Sequence, residues 1–163
     1  MSIKRLNNKG IGLVEVIAAL GITLMTITAL VSLALYTMRT SLQSKLTLEG
    51  SKIATREIEL VRAYRDRSVT WADFLTGITS TNCEVNPGSG LCHMDDVNLI
   101  PVAAAGLDTV DNQSVTRSFT VDIDPYGTGD TNIVYITVTV SWEIVGRTHQ
   151  TNLYTYLTNW RNE

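Results

Sequence analysis

Lys9-Gly10-Ile11-Gly12-Leu13-Val14-Glu15-Val16 sets one carboxylate at the head of a long apolar run, and no further charge occurs before Arg39. A helix rising about 1.5 Å per residue over Val16–Met38 is long enough to cross a hydrocarbon core of about 30 Å. Lys4, Arg5 and Lys9 precede the run with no acid among them. That bias holds the first residues on the cytoplasmic side and sends the body of the protein outward.

Glu15 is the residue such a run does not readily tolerate. An ionised acid at mid-bilayer costs on the order of 2–3 kcal/mol, less near the edge, unless a cation meets it. Positions i+3 and i+4 from it are Ala18 and Ala19, so the helix itself supplies no Lys or Arg. A free α-amine at Ile11, made by cutting after Gly10, lies one helical turn away. It could pair with Glu15 within one chain, or the amine of an axially staggered neighbour could do so and set the register between subunits.

Gly10 followed by Ile11, Glu15 four positions on, a short basic leader and an apolar helix together resemble the class III prepilin signal of type IV pilins and of the related pseudopilins of type II secretion. The resemblance implies a membrane-embedded prepilin peptidase that cuts between Gly10 and Ile11 and N-methylates Ile11. It also implies that Glu15 pairs with a first-residue amine during assembly. The family more often has Phe or Met at the position of Ile11, and major pilins usually carry a kinking proline near Ser32, where this chain has none. The second difference leans towards a minor pilin. An ordinary signal anchor or secretory signal peptide is the other reading of the segment, but a signal peptide has an apolar core of about 7–15 residues closed by a small-residue cleavage site. This run is longer, and no such site closes it convincingly.

The chain of 163 residues is enough for one domain beside an anchor helix. Its 13 bases stand against 16 acids, and removal of residues 1–10 would leave 10 bases and a net charge of −6. An acidic head has no general electrostatic hold on nucleic acid. Beyond the apolar run, Leu35, Met38, Leu42, Leu46, Ile53, Leu60 and Tyr64 recur mostly at three-, four- and seven-residue intervals, which predicts one helix from Ile11 to about Tyr64 with an apolar stripe on its second half. Residues 11–39 form the transmembrane and polymerisation half, and residues 40–163 a globular head that includes the amphipathic half. Gly50 is a candidate bend. Glu49, Lys52, Arg56, Glu57, Glu59 and Arg62 read as a solvated face with local ion pairs.

Thr70-Trp71-Ala72-Asp73 resembles a capping box that opens a short helix through Leu75, with Gly77 as its stop. Trp71 and Phe74 then read as core. Cys83 and Cys92 flank a Pro- and Gly-containing loop, and two cysteines in an exported domain imply a disulfide. A metal site built from both thiols and His93 lacks a fourth ligand and the usual spacing. Residues 94–114 read as an irregular connection with at most one short element.

The last third carries the β signal. Phe119, Val121 and Ile123 alternate with polar residues over Ser118–Asp124, and Val134, Ile136, Val138, Val140, Trp142 and Ile144 do so over Ile133–Val145. A third strand from Arg147 to about Leu157 puts Thr151, Leu153, Thr155 and Leu157 on one side, with Tyr154 and Tyr156 on the other. Short connections make the three an antiparallel meander over about 115–158 whose apolar face packs on the helix, an α+β, pilin-like fold. The Val-x-Val-x-Trp run, Gly-Arg turn and Leu-bearing final strand are similar to minor pilins of the type IV pilus modification class.

Asp122, Asp124 and Asp130 loosely echo a calcium loop, and some pseudopilins bind calcium. The segment lacks the closing Glu of an EF-hand and contains Pro125, so a plain turn is favoured and no metal or other cofactor is expected. His93 and His149 read as surface or turn residues. No Ser-His-Asp order, HExxH or phosphate loop appears, so the chain is not expected to be an enzyme.

The resemblance implies a structural subunit of a type IV pilus-like filament. Its partners would be other pilins or pseudopilins through the helix, prepilin peptidase, an inner-membrane assembly platform and, before assembly, membrane lipid. The expected topology is a single pass with a short cytoplasmic N-terminus and an extracytoplasmic head. A pseudopilin of type II secretion or DNA uptake is the alternative, and a membrane-anchored tip adhesin a further one.

Overall fold

A computed structural model describes residues 11–85 and 90–160. The expected leader, 1–10, and with it the cleavage residue Gly10, lie outside the described residues, as do 86–89 of the loop between the cysteines. The chain divides into two compact units, Met1–Leu42 and Gln43–Glu163. One helix, α1 (Ile11–Arg67), contributes to both.

In the first unit α1 is a single uninterrupted helix, as the uncharged run requires. Every described residue from Gly12 to Ser41 is exposed, including Leu13, Ile17, Leu24, Met25 and Leu30. Mean hydropathy reaches 2.3 over its most apolar window, so the helix is long and apolar enough to cross a membrane.

The second unit is an α+β domain in which the rest of α1 packs on an antiparallel sheet. Leu46, Gly50, Ala54, Glu57, Ile58 and Val61 are the buried positions of this half, a line with helical spacing. Of the larger apolar residues on the expected stripe only Leu46 is fully buried; Leu35 and Met38 are exposed, and Leu42, Ile53, Leu60 and Tyr64 half-buried. The reason is steric. Small residues lie at the line of closest approach, where a Cβ on Gly50 would stand 2.8 Å from the Trp142 ring. Gly50 is thus a contact point within a continuous helix, where a bend had been the expectation.

A short turn leads to α2 (Trp71–Ser80), and the expected capping box is present. The Thr70 hydroxyl accepts from the Asp73 backbone N–H at 3.1 Å, and the Asp73 carboxylate accepts from that of Thr70 at 3.0 Å. The helix runs through Gly77, which was expected to stop it. There the missing side chain admits Tyr64, whose hydroxyl would lie 1.8 Å from a Cβ. Phe74 is fully buried. Trp71 is half-buried, 5.1 Å from the Phe74 ring, and donates its Nε1–H to the Thr131 carbonyl at 2.8 Å.

β1 (His93–Met94) and β2 (Pro101–Val102) form a two-stranded antiparallel sheet. β3 (Gly106–Val110), β4 (Gln113–Asp122), β5 (Ile133–Ile144) and β6 (Arg147–Thr158) form a four-stranded meander in that order. Residues 94–114, expected to hold at most one short element, contain β2, β3 and the start of β4, and β3 pairs with β4 from Gly106↔Arg117 to Val110↔Gln113. Asp111 and Asn112, both with positive φ, make the two-residue turn between them. Val145 and Gly146, also at positive φ, join β5 to β6 in the same way. β4 begins five residues before the expected Ser118 and ends at Asp122, leaving Ile123 half-buried beyond it. On β5 the alternation holds: Val134, Ile136, Val138, Val140 and Trp142 are buried, and they line the core with Phe119, Val121 and Leu157.

Candidate functional site

The segment that bears the expected assembly chemistry starts at the first described residue. Glu15 is exposed on α1 between Val14 and Val16, themselves 67% and 62% exposed. Ile11 opens the helix, and its partner across the expected cut, Gly10, is not among the described residues.

Helical structure solves a problem the sequence leaves open, namely what the hydroxyls of an apolar span bond to. Thr23 donates to the Ala19 carbonyl at 2.7 Å, Thr26 to Thr23 at 2.8 Å, Ser32 to Thr28 at 2.8 Å and Thr37 to Ala34 at 2.8 Å. Thr28 donates to the Leu24 and Met25 carbonyls, at 3.0 and 2.9 Å. Each Ser and Thr hydroxyl in Val16–Met38 is therefore satisfied by the preceding turn and needs no water, while Tyr36 is exposed. Within this stretch no formal charge competes with Glu15.

The two cysteines are joined, S–S 2.03 Å, and both are fully buried. The described ends of their loop, 83–85 and 90–92, run along β4 beyond the end of β3. Cys92 and Phe119 exchange backbone bonds of 3.1 and 2.6 Å, and the Val121 N–H donates to the Cys83 carbonyl at 2.9 Å. The disulfide thus completes the edge that β3 leaves uncovered. With both sulfurs in that bond, neither thiol is available to a metal with His93, whose Nδ1 lies 2.8 Å from the Ala104 carbonyl.

Asp122, Asp124 and Asp130 are divided between different tasks. Asp124 accepts from the Thr128 and Gly129 backbone N–H groups at 2.9 and 2.8 Å, and Asp130 from the backbone and side chain of Asn132, both at 2.9 Å. Asp122 ends β4 opposite Tyr135. Among the described residues no three His, Cys, Asp or Glu side chains are placed to hold one ion.

A second charge cluster lies inside the head. Glu57, expected on the solvated face, is 0% exposed, and Arg117 on β4 is 5% exposed. Arg117 Nε stands 3.0 Å from Glu57 Oε2, and its Nη atoms reach Asp108 at 2.5 Å and Asp96 at 3.3 Å. The same guanidinium donates to the Met94 carbonyl at 3.2 Å, while Glu57 Oε1 accepts from the Met94 N–H at 2.5 Å. Arg56, on the helix beside Glu57, meets Asp96 and Asp108 at 3.4 Å. Burial pushes the Glu57 carboxyl above its ordinary range, opposed by the Met94 N–H and by the Arg117 charge. For Arg117 burial works against the charge, but the Asp108 bond and the charges of Glu57, Asp108 and Asp96 outweigh it and hold the guanidinium above its ordinary value. The cluster ties α1, β1, β3 and β4 together, and every member is engaged within the head, so it is a clamp and not a binding site. Glu57 carried a signal that spacing reasoning passed over: it falls three residues after Ala54 and one before Ile58, inside the contact line. The other helix charges behave as expected of a surface, with Lys52 on Glu49 at 2.8 Å and Arg62 on Glu59 at 2.5 Å.

Comparison with protein-family models, with curated proteins and with solved structures found no match to this chain.

Proposed function

We propose that this chain is a minor pilin, a structural and assembly subunit of a type IV pilus-like filament, cut by prepilin peptidase after Gly10 and N-methylated at Ile11. The observation that carries this reading is the lone carboxylate of Glu15 at the start of a helix that is apolar and exposed on all sides from Val16 to Met38. Such a surface is not left in water, since apolar area contributes about 25 cal/mol per Å² on leaving it. Lipid receives it first, with the Ser and Thr hydroxyls already closed onto the helix. Moving from lipid to a bundle of like helices exchanges one apolar neighbour for another, so apolar burial alone gives no register. Glu15 supplies it by meeting the new amine of a neighbouring subunit, a pair whose formation relieves the cost of an isolated carboxylate in a low dielectric. The head, extracytoplasmic and stapled by its disulfide, travels with the helix into the filament.

The reading predicts that Glu15→Ala is inserted and cut normally but is missing from filaments sheared off cells, whereas Glu15→Asp is incorporated in part. Immunoblots of membrane and filament fractions decide this; a Glu15→Ala chain present in filaments at the native level overturns the pairing role. A pseudopilin of type II secretion or DNA uptake uses the same helix chemistry and would be revealed by the machine whose loss traps the chain in the membrane.

A further inference from the structure

The sheet face turned away from α1 has an unusual composition. β5 presents Tyr135, Thr137, Thr139, Ser141 and Glu143, and β6 presents their direct partners Tyr156, Tyr154, Asn152, Gln150 and Thr148. Those ten positions carry one formal charge, Glu143, at one end. At the other end the tyrosines gather. The Tyr135 ring lies parallel to that of Tyr154, 3° between planes and 5.9 Å between centres, and 4.8 Å from the ring of Tyr156. Tyr126, from the loop between β4 and β5, hydrogen-bonds to the Tyr156 side chain, which raises the Tyr156 hydroxyl above its ordinary pKa. Tyr126, Tyr154 and Tyr156 are 65%, 54% and 52% exposed. Beside Glu143 the face dips into a shallow depression of about 250 Å³ lined by Ser114, Thr116, Ser141, Trp142, Glu143 and Thr148.

We propose that this face binds a neutral glycan, with the tyrosine cluster stacking on sugar rings and the depression around Glu143 holding sugar hydroxyls. Charge selects the occupant. A polyanion, whether nucleic acid or sulfated polysaccharide, needs Lys or Arg, and none of the ten positions supplies one. A charged peptide finds Glu143 at one end, Asp122 of β4 beside Tyr135 at the other, and no cation among the ten positions. A neutral polyhydroxylated chain finds everything it uses. Flat rings offer a negative face to the slightly positive C–H groups of a pyranose, and tyrosine does so at low entropic cost because it has few rotors. Ser, Thr, Asn and Gln both donate and accept, which matches hydroxyls. Glu143 accepts from a vicinal diol in bonds strengthened by its charge. Between Tyr135 and Glu143 the strand extends about 27 Å, so the two ends engage separate residues of one chain and a single sugar binds weakly. The proposal stands apart from the filament reading, because it concerns only the head.

The test is binding of the full chain, in detergent micelles, to immobilised cellohexaose, chitohexaose, maltohexaose and β-galactan, with heparin and single-stranded DNA as anionic probes. Saturation transfer from the glycan identifies the aromatic protons it touches. The expected result is retention on at least one of the four neutral glycans, with transfer to tyrosine ring protons and no retention on heparin or DNA. The double change Tyr154→Ala with Tyr156→Ala should weaken binding at least about tenfold, Glu143→Gln about threefold, and Tyr154→Phe with Tyr156→Phe should retain most of it because the rings remain. The phenylalanine pair and the transfer measurement on the unaltered chain decide the matter even if the alanine pair disturbs the fold. Failure of all four neutral glycans, binding to the anions alone, or neutral binding that the tyrosine changes leave untouched overturns the proposal. So does a concentration-dependent self-association that buries Tyr154 and Tyr156, which would make the face a contact between copies.

Discussion

The first and second halves of α1 share one helical geometry and face opposite demands. From Gly12 to Ser41 every residue is exposed and the side chains are mostly large and apolar. Beyond Gln43 a narrow line, Leu46, Gly50, Ala54, Glu57, Ile58 and Val61, is buried under the sheet, flanked by half-buried Ile53, Leu60 and Tyr64, and most of the remainder is polar. The first half has bulk without fixed contacts, which suits lipid and like helices. The second has small residues where contact is closest and one buried acid with a dedicated partner. Bulk therefore marks the surface left without a partner in the chain, and smallness marks the surface that has one.

The sharpest way to break this contrast is to remove the partner of the buried acid. Arg117→Met leaves Glu57 buried and unpaired, and should destabilise the head by about 3–5 kcal/mol, read as a lowered denaturation midpoint by near-UV circular dichroism. Glu57→Leu combined with Arg117→Met should recover much of that loss. The sign with pH is set by the raised Glu57 carboxyl: the cost of its charge is absent below the unfolded value of about 4.5 and develops as pH rises through the folded one. The deficit of Arg117→Met should accordingly shrink on acidification. A deficit that grows in acid contradicts the buried-charge account. The same substitution should leave membrane insertion unchanged, because the first half of α1 does not use the clamp.

Next in size is the disulfide. Cys83→Ser with Cys92→Ser opens a loop of about ten residues, and chain-entropy arguments give a loss of about 2–3 kcal/mol. Amide exchange would show where it acts: protection should fall first at Phe119 and Val121, the two β4 positions the loop covers. Smaller again is Thr70→Ala, about 1 kcal/mol through loss of the α2 cap, visible as faster exchange confined to the first turn of α2.

These expectations also divide what the residues disclose from what they conceal. β5 was legible because its alternation is two-sided and long, and the β5–β6 turn because Gly146 invites positive φ. β3 was hidden, since its five residues include Gly106 and only half alternate, and its turn to β4 is Asp111-Asn112, which tolerates left-handed backbone without a glycine to announce it. Helical periodicity found α1, but counting large apolar residues displaced the buried line, because Gly50 and Ala54 matter through what they lack. Glu57 was hidden for the same reason that it is costly: an acid counts as surface until a partner sixty residues away in sequence is known. Gly77 misled in the other direction, a glycine retained for Tyr64 and read as a helix stop. Of the candidate site, the cysteine pair was legible from type and context, whereas the bonding of the five Ser and Thr hydroxyls in the span needed coordinates.

The account rests most heavily on Glu15 acquiring an amine that the full-length chain does not have. Intact-mass and N-terminal peptide analysis of the chain recovered from membranes of cells with active prepilin peptidase tests this directly. The account predicts a chain that begins at Ile11 with one added methyl group on its amine; a chain that retains Met1–Gly10, or one cut elsewhere, contradicts it.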